Sequence, residues 1–274
     1  MANRICSYNQ SQAAHQRLLR IGTALVLAFL LCSTGASAGE SGWNEKSNLP
    51  ASDKFAARAR RSYEEAKTRL DAEPANPDAA WQFARACFDL AEYATNNTQR
   101  AQIAKEGIAV SRQLINRHPS LAQASYYLGL NLGQLARTQT IEALHTVEEM
   151  EHAFKRALEL DVGFDYAGPD RSLGLLYLQA PGWPVSIGDR RKARRHLEHA
   201  VKQSPDYPDN RLCLIEAYLK WNEISAAINQ IRALEELRPR ATNQFAGDQW
   251  EPAWADWNSR LELARKRLKL DDAN

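Results

Sequence analysis

Residues 173–205, LGLLYLQAPGWPVSIGDRRKARRHLEHAVKQSP, read as two amphipathic helices joined by a loop rich in proline and glycine. Leu173, Gly174 and Tyr177 share one face of the first half; Ala193, Leu197 and Ala200 share one face of the second. Apolar residues three and four apart mark a helix, because 3.6 residues complete a turn. Three other parts of the chain echo the unit. The helix-ending residues Pro74, Pro119, Val162, Pro205 and Pro239 stand 45, 43, 43 and 34 apart. This recurrence constrains the fold more than composition does. A single helix pair cannot bury its apolar face alone, so neighbouring pairs must stack to supply the core. Period-2 alternation is absent, and the few Val and Ile residues sit in helical patterns, so no strand is expected.

Taken in order, a helix is expected from Ser52, carrying Phe55, Ala59, Tyr63, Ala66 and Leu70 on one stripe and ending before Pro74. Asn76-Pro77-Asp78 opens the next, with Trp81, Ala84 and Phe88 on one face, and its partner carries Gly107, Ser111 and Leu114. Leu128, Gly129 and Leu132 mark the second pair, with Met150, Phe154 and Ala157 on its partner; Ile141, Leu144 and Val147 between them suggest extra helix. The opening unit is the third pair. The fourth carries Leu214 and Tyr218, then Ala227, Ile231 and Leu234 before Pro239. A last helix from Pro252 places Trp254, Trp257, Leu261, Ala264 and Leu268 on a stripe, and its basic end suits a helix C-terminus.

These residues resemble the tetratricopeptide pattern W-x2-L-G-x2-Y…A-x3-F-x2-A-x4-P. Leu173, Gly174, Tyr177, Ala193, Leu197, Ala200 and Pro205 follow it almost throughout; Tyr218, Ala227 and Pro239 follow it in the fourth pair, Leu128, Gly129, Phe154 and Ala157 in the second, and Trp81, Gly107 and Pro119 in the first. Glycine and alanine at these positions let paired helices approach closely, and Leu173 and Tyr177 fill the gap. The resemblance implies an all-α, right-handed α-solenoid of about four such pairs (about 78–119, 120–162, 167–205 and 208–239), with an N-terminal helix and a C-terminal capping helix, 252–270, at its ends. Against the family pattern the third repeat has seven extra residues, within 179–189, and the first two also carry insertions; such loops emerge on one edge of an array.

In tetratricopeptide arrays the first helix of each pair lines a concave surface. By that resemblance Gln82, Asp89, Tyr126, Leu130, Arg171, Leu175 and Glu216 are candidate contacts for an extended peptide or partner helix. Trp183, between Gly182 and Pro184, is either exposed for binding or tucked back as an anchor; tucking back is the expectation for so large an apolar ring. Asp189 is placed to cap the helix that follows. His196 and His199 could share a metal, but no third ligand is evident, and they read as solvated. The basic run from Arg190 to Arg195 reads as a solvated helix face rather than an anion site. No nucleophile elbow, P-loop, zincin motif or Cys/His arrangement is present, so no catalytic residue, cofactor or metal is assigned.

Residues 1–38 carry basic Arg17 and Arg20, an apolar run too short to span a bilayer, and Ala36-Ser37-Ala38, which is the form of a secretory signal cleaved after Ala38. Phe29-Leu30-Leu31 before Cys32 does not suit a lipid-attachment site. Residues 39–50 read as a polar lead-in, in which Trp43 is unexplained. Without residues 1–38 the chain holds 32 basic against 33 acidic residues, a balance that does not favour nucleic acid. Cys87 and Cys213 each sit in a helical apolar pattern and read as small buried hydrophobes rather than a disulfide.

WQFARACFDLA, from Trp81, and the proline-glycine loop of the third repeat resemble the periplasmic T-component of TRAP-type transporters and, more distantly, the eukaryotic regulators of microtubule dynamics. The T-component resemblance implies self-assembly and a periplasmic solute-binding protein as partner, with the chain accessory to solute transport. The leading expectation is an exported, periplasmic or secreted scaffold that binds a protein or peptide and is not an enzyme. The alternative is a helical carrier of a small hydrophobic ligand.

Overall fold

A computed structural model describes residues 51–139 and 143–269. Among the described residues ten α-helices follow one another: α1 Ala51–Ala72, α2 Pro77–Ala91, α3 Asn97–Arg117, α4 Ala122–Ala136, α5 Ala143–Leu160, α6 Phe164–Gln179, α7 Arg190–Gln203, α8 Pro208–Lys220, α9 Ile224–Gln244 and α10 Glu251–Leu268, with a 3-10 turn, Asp248–Trp250, before the last. Among the described residues, pairing of strand type is confined to an isolated bridge between Gly182 and Gly188. The signal-like segment, the lead-in and Ile141 lie outside the described residues.

Helix starts follow local chemistry. The side chains of Asn76, Asn96 and Asp189 accept hydrogen bonds from backbone amides in the first turns of α2, α3 and α7, which would otherwise lack partners. Pro77 and Pro208 occupy first-turn positions, where a missing amide hydrogen costs nothing. Pro239 does not end its helix, contrary to the sequence expectation: α9 runs on to Gln244. Pro239 is exposed, so the carbonyl it leaves unbonded can meet water, while Leu234, Leu237 and Ala241 continue the buried stripe across it.

Successive helices pack as antiparallel pairs, and the pairs stack into an α-solenoid. The close approach predicted for small residues is present. A Cβ on Gly129 would lie 2.5 Å from the Phe154 ring, and one on Gly174 would lie 2.6 Å from Leu197 Cγ and 3.1 Å from its backbone nitrogen. The two helices of a pair are buried unequally. In α6 every residue but Tyr166 is buried, whereas α7 buries only Ala193, Leu197 and Ala200. The first helices form the interior; the second helices present most of their surface to solvent.

Aromatic rings fill that interior. Trp81 stacks on Tyr127 at 5.9 Å, Tyr126 meets Phe164 at 5.2 Å, and Tyr166 stacks on Tyr207 at 4.7 Å. Phe245, Trp250 and Trp257 continue the cluster under α10. The first and last described helices also meet: Lys54 on α1 pairs with Glu251 at the start of α10 at 2.7 Å, and Arg58 donates to the Asp248 carbonyl. None of the described helices is long and apolar enough to cross a membrane.

Candidate functional site

Among the described residues, the loop between α6 and α7 is the one place where a large aromatic ring stands in solvent. Trp183 is 89% exposed and Val185 is also exposed. The expectation that Trp183 tucks back is therefore corrected. Ile187 is the loop side chain that packs on the core. The backbone around the ring is fixed: Gly188 N–H donates to Pro181 O at 2.8 Å, Val185 N–H to Gly182 O at 3.1 Å, and Asp189 N–H to Tyr177 O at 3.0 Å. The turn needs glycine at 188, where a Cβ would lie 2.1 Å from Ala180 O. With Ile187 held inward and both strands of the loop bonded, Trp183 is left pointing out.

Beyond the loop, Asp189 caps α7, and its carboxyl is held below the usual range, first by the Lys192 amide it accepts from. Arg190 and Arg194 both bond Glu223 on the neighbouring repeat and lie over the Trp221 ring at 5.3 and 5.0 Å. The Arg194 hydrogen bond is the largest cause of Glu223's lowered carboxyl pKa. His196 and His199 are not simply solvated. Their Nδ1 atoms meet the two oxygens of Asp170, at 2.8 and 2.6 Å, and that carboxylate is 2% exposed. No group of three or more His, Cys, Asp or Glu side chains among the described residues is arranged to hold a metal ion.

The residues expected on an open concave face are placed differently. Tyr126 and Arg171 are fully buried and Glu216 nearly so. Tyr126 Oη–H donates to Asp165 Oδ2 at 3.0 Å. Arg171 donates to Asn210 Oδ1 at 2.6 Å and to the carbonyls of Tyr166 and Asp165, and its Nε lies 3.3 Å from Asp209. Glu216 takes a bidentate pair from Arg260 on α10, at 2.6 and 2.9 Å. Leu130 and Leu175 are core. Gln82 accepts from Arg69, and Asp89 pairs with Arg85 at 3.5 Å; both are half-buried. The physical reason is that α1, α10 and the aromatic layer cover the face the repeat pattern leaves open. Of these residues the structure brings Arg171 and Glu216 into one buried ionic cluster, and leaves Trp183 apart from them at the edge.

That cluster also explains an irregularity. Asp165, Tyr166 and Ala167 all have positive φ, at 50°, 54° and 62°. Left-handed conformation costs a non-glycine residue about 1–2 kcal/mol. Arg171 bonds two of the carbonyls in this turn, and Tyr166 is seated among Tyr207, Phe245 and Trp250, so the turn fastens the third repeat to the C-terminal cap.

Comparison with known proteins agrees with the architecture. The chain is similar to the crystal structure of a thermophilic TPR protein of Thermus thermophilus, with a TM-score of 0.56 over 92% of this chain and 98% of that one, at 20% identity. The fold is tetratricopeptide-like. Residues 48–164, less than half of the chain, match the family model described as "Regulator of microtubule dynamics protein 1-3", the more distant of the two resemblances in the sequence. No curated protein matches.

Proposed function

We propose that the chain is an exported tetratricopeptide scaffold that holds a protein partner at the Trp183 loop. The observation that carries this reading is a tryptophan 89% exposed on a backbone fixed by hydrogen bonds and by the half-buried Ile187, which packs on the core. Tryptophan is among the residues that dominate binding energy at protein interfaces, and a loop already ordered loses little entropy on binding. Among the described residues the interior offers no comparable surface, because its first helices and aromatic rings are spent on each other. The same filling counts against a carrier with an apolar channel between the helices.

Export rests on the signal-like residues 1–38 and places the mature protein in the periplasm or outside the cell. The narrower role is accessory to a periplasmic solute transporter, with a solute-binding protein as partner and with self-assembly; it rests on the T-component resemblance. The test is capture from envelope extract with the secreted chain as bait. A solute-binding protein retained by wild type and lost with Trp183→Ala supports the reading. Equal retention by both overturns the loop's role. N-terminal sequencing should find Gly39 first; an acylated Cys32 would overturn the cleavage site.

A further inference from the structure

The outer face of the third repeat carries a groove of about 560 Å³ between α5 and α7. Leu158 lines one wall, and Arg191, Arg195 and Lys202 line the other. These three basic residues stand at i, i+4 and i+11 of α7, hence on one side of the helix. They extend over about 16 Å at 1.5 Å per residue. All three are exposed, and none forms an ion pair with the described residues, unlike Arg190 and Arg194, which both bond Glu223.

The acidic groups nearby do not neutralise the stripe. Asp170, at the base of the groove, is enclosed by the two histidines. Glu198 accepts from Tyr218 Oη–H at 2.9 Å and lies 3.6 Å from Arg194. The stripe begins at Arg191, eight residues on from Trp183 in the loop that precedes α7.

We propose that this track seats an extended acidic segment of the partner that meets Trp183, a proposal that rests on the scaffold reading above. Guanidinium groups grip carboxylates through paired hydrogen bonds, as Arg260 grips Glu216 within this molecule. A walled groove admits a chain, whereas a flat bilayer would span it. About five extended residues, at roughly 3.3 Å each, cover the stripe.

The test uses the secreted chain and a fluorescent peptide of about eight alternating Glu and Ser residues, long enough for the stripe, read by anisotropy. Binding that weakens about tenfold in R191E/R195E, and not in the control R60E/R61E on α1, supports the proposal. Equal loss in both double variants shows response to net charge alone and overturns it, as does absence of binding. Preferential retention on anionic phospholipid vesicles, again dependent on Arg191 and Arg195, would assign the track to a membrane and also overturn it. A crosslinker at position 183 keeps the two readings separable. If a partner crosslinks there and R191E/R195E captures it as well as wild type does, the track proposal fails and the scaffold reading stands. If nothing crosslinks at 183, the scaffold reading fails, whatever the peptide does.

Discussion

Removing Arg171 tests what holds the third repeat to the C-terminal cap. Its guanidinium is fully buried, bonds Asn210 and two backbone carbonyls of the left-handed turn, and lies beside Asp165 and Asp209. Arg171→Met leaves both carboxylates without it. Breaking a buried ion pair from one side costs about 3–5 kcal/mol. The lower end applies here, because Asp165 keeps Tyr126 and Asp209 keeps Arg260. The expected loss is about 3 kcal/mol. Arg171→Lys retains the charge but not the planar fork, so it should recover only part of that, with a loss of about 2 kcal/mol. Urea unfolding followed by far-UV circular dichroism measures both, and near-UV spectra report the Trp250 and Trp257 surroundings. An Arg171→Met protein within about 0.5 kcal/mol of wild type, the range of an ordinary surface substitution, would refute the claim that this cluster fastens the cap.

Gly174→Ala should lower stability by about 1–2 kcal/mol although alanine favours helix, because the new methyl meets the fully buried Leu197; a rise in melting temperature would show that α6 and α7 are not so closely packed. Asp256 has its carboxyl pushed up to about 6 from 3.8, chiefly by burial, against the opposing attraction of Arg260. The folded state therefore holds this proton more tightly than the unfolded one: no cost arises below pH 3.8, and a cost of about 3 kcal/mol develops as pH rises to 6 and stays above it. Asp256→Asn should match wild type near pH 4 and exceed it by about 1–2 kcal/mol at about pH 7.5, since the 3.3 Å contact with Arg260 is weakened in exchange; thermal melts at the two pH values check this. Cys87 and Cys213 are fully buried, and burial raises both thiols, so mass spectrometry should find both unmodified after iodoacetamide treatment of the native chain and alkylated after denaturation.

The repeat was legible because its code is local. Gly174 and Leu197 face each other through helix periodicity, and the caps at Asn76 and Asp189 act within three residues of themselves. What could not be read depended on partners distant in sequence. Nothing near Asp165-Tyr166-Ala167 announces a left-handed turn; Asn210, which helps to hold it, comes 39 positions after Arg171. Arg171 and Glu216 read as concave-face contacts because the family pattern leaves that face open, whereas here α10 closes over it through Arg260, which bonds Glu216 and Asp209. The histidine pair lacked its explanation until Asp170, on the preceding helix, was placed beside it. Trp183 pointed the unexpected way because its neighbour Ile187 supplies the anchor, and sequence alone does not say which of two apolar loop residues turns inward.

The most direct test of the account is photocrosslinking from position 183 in intact cells, with the same crosslinker at exposed Arg232 as control, followed by affinity measurement on whatever is captured. One discrete adduct is expected from 183 and none from 232. Trp183→Ala should weaken the purified complex by about thirtyfold, a hot-spot loss of about 2 kcal/mol, with melting unchanged because the ring is exposed. A Trp183→Ala protein that binds the captured partner as tightly as wild type would contradict the account.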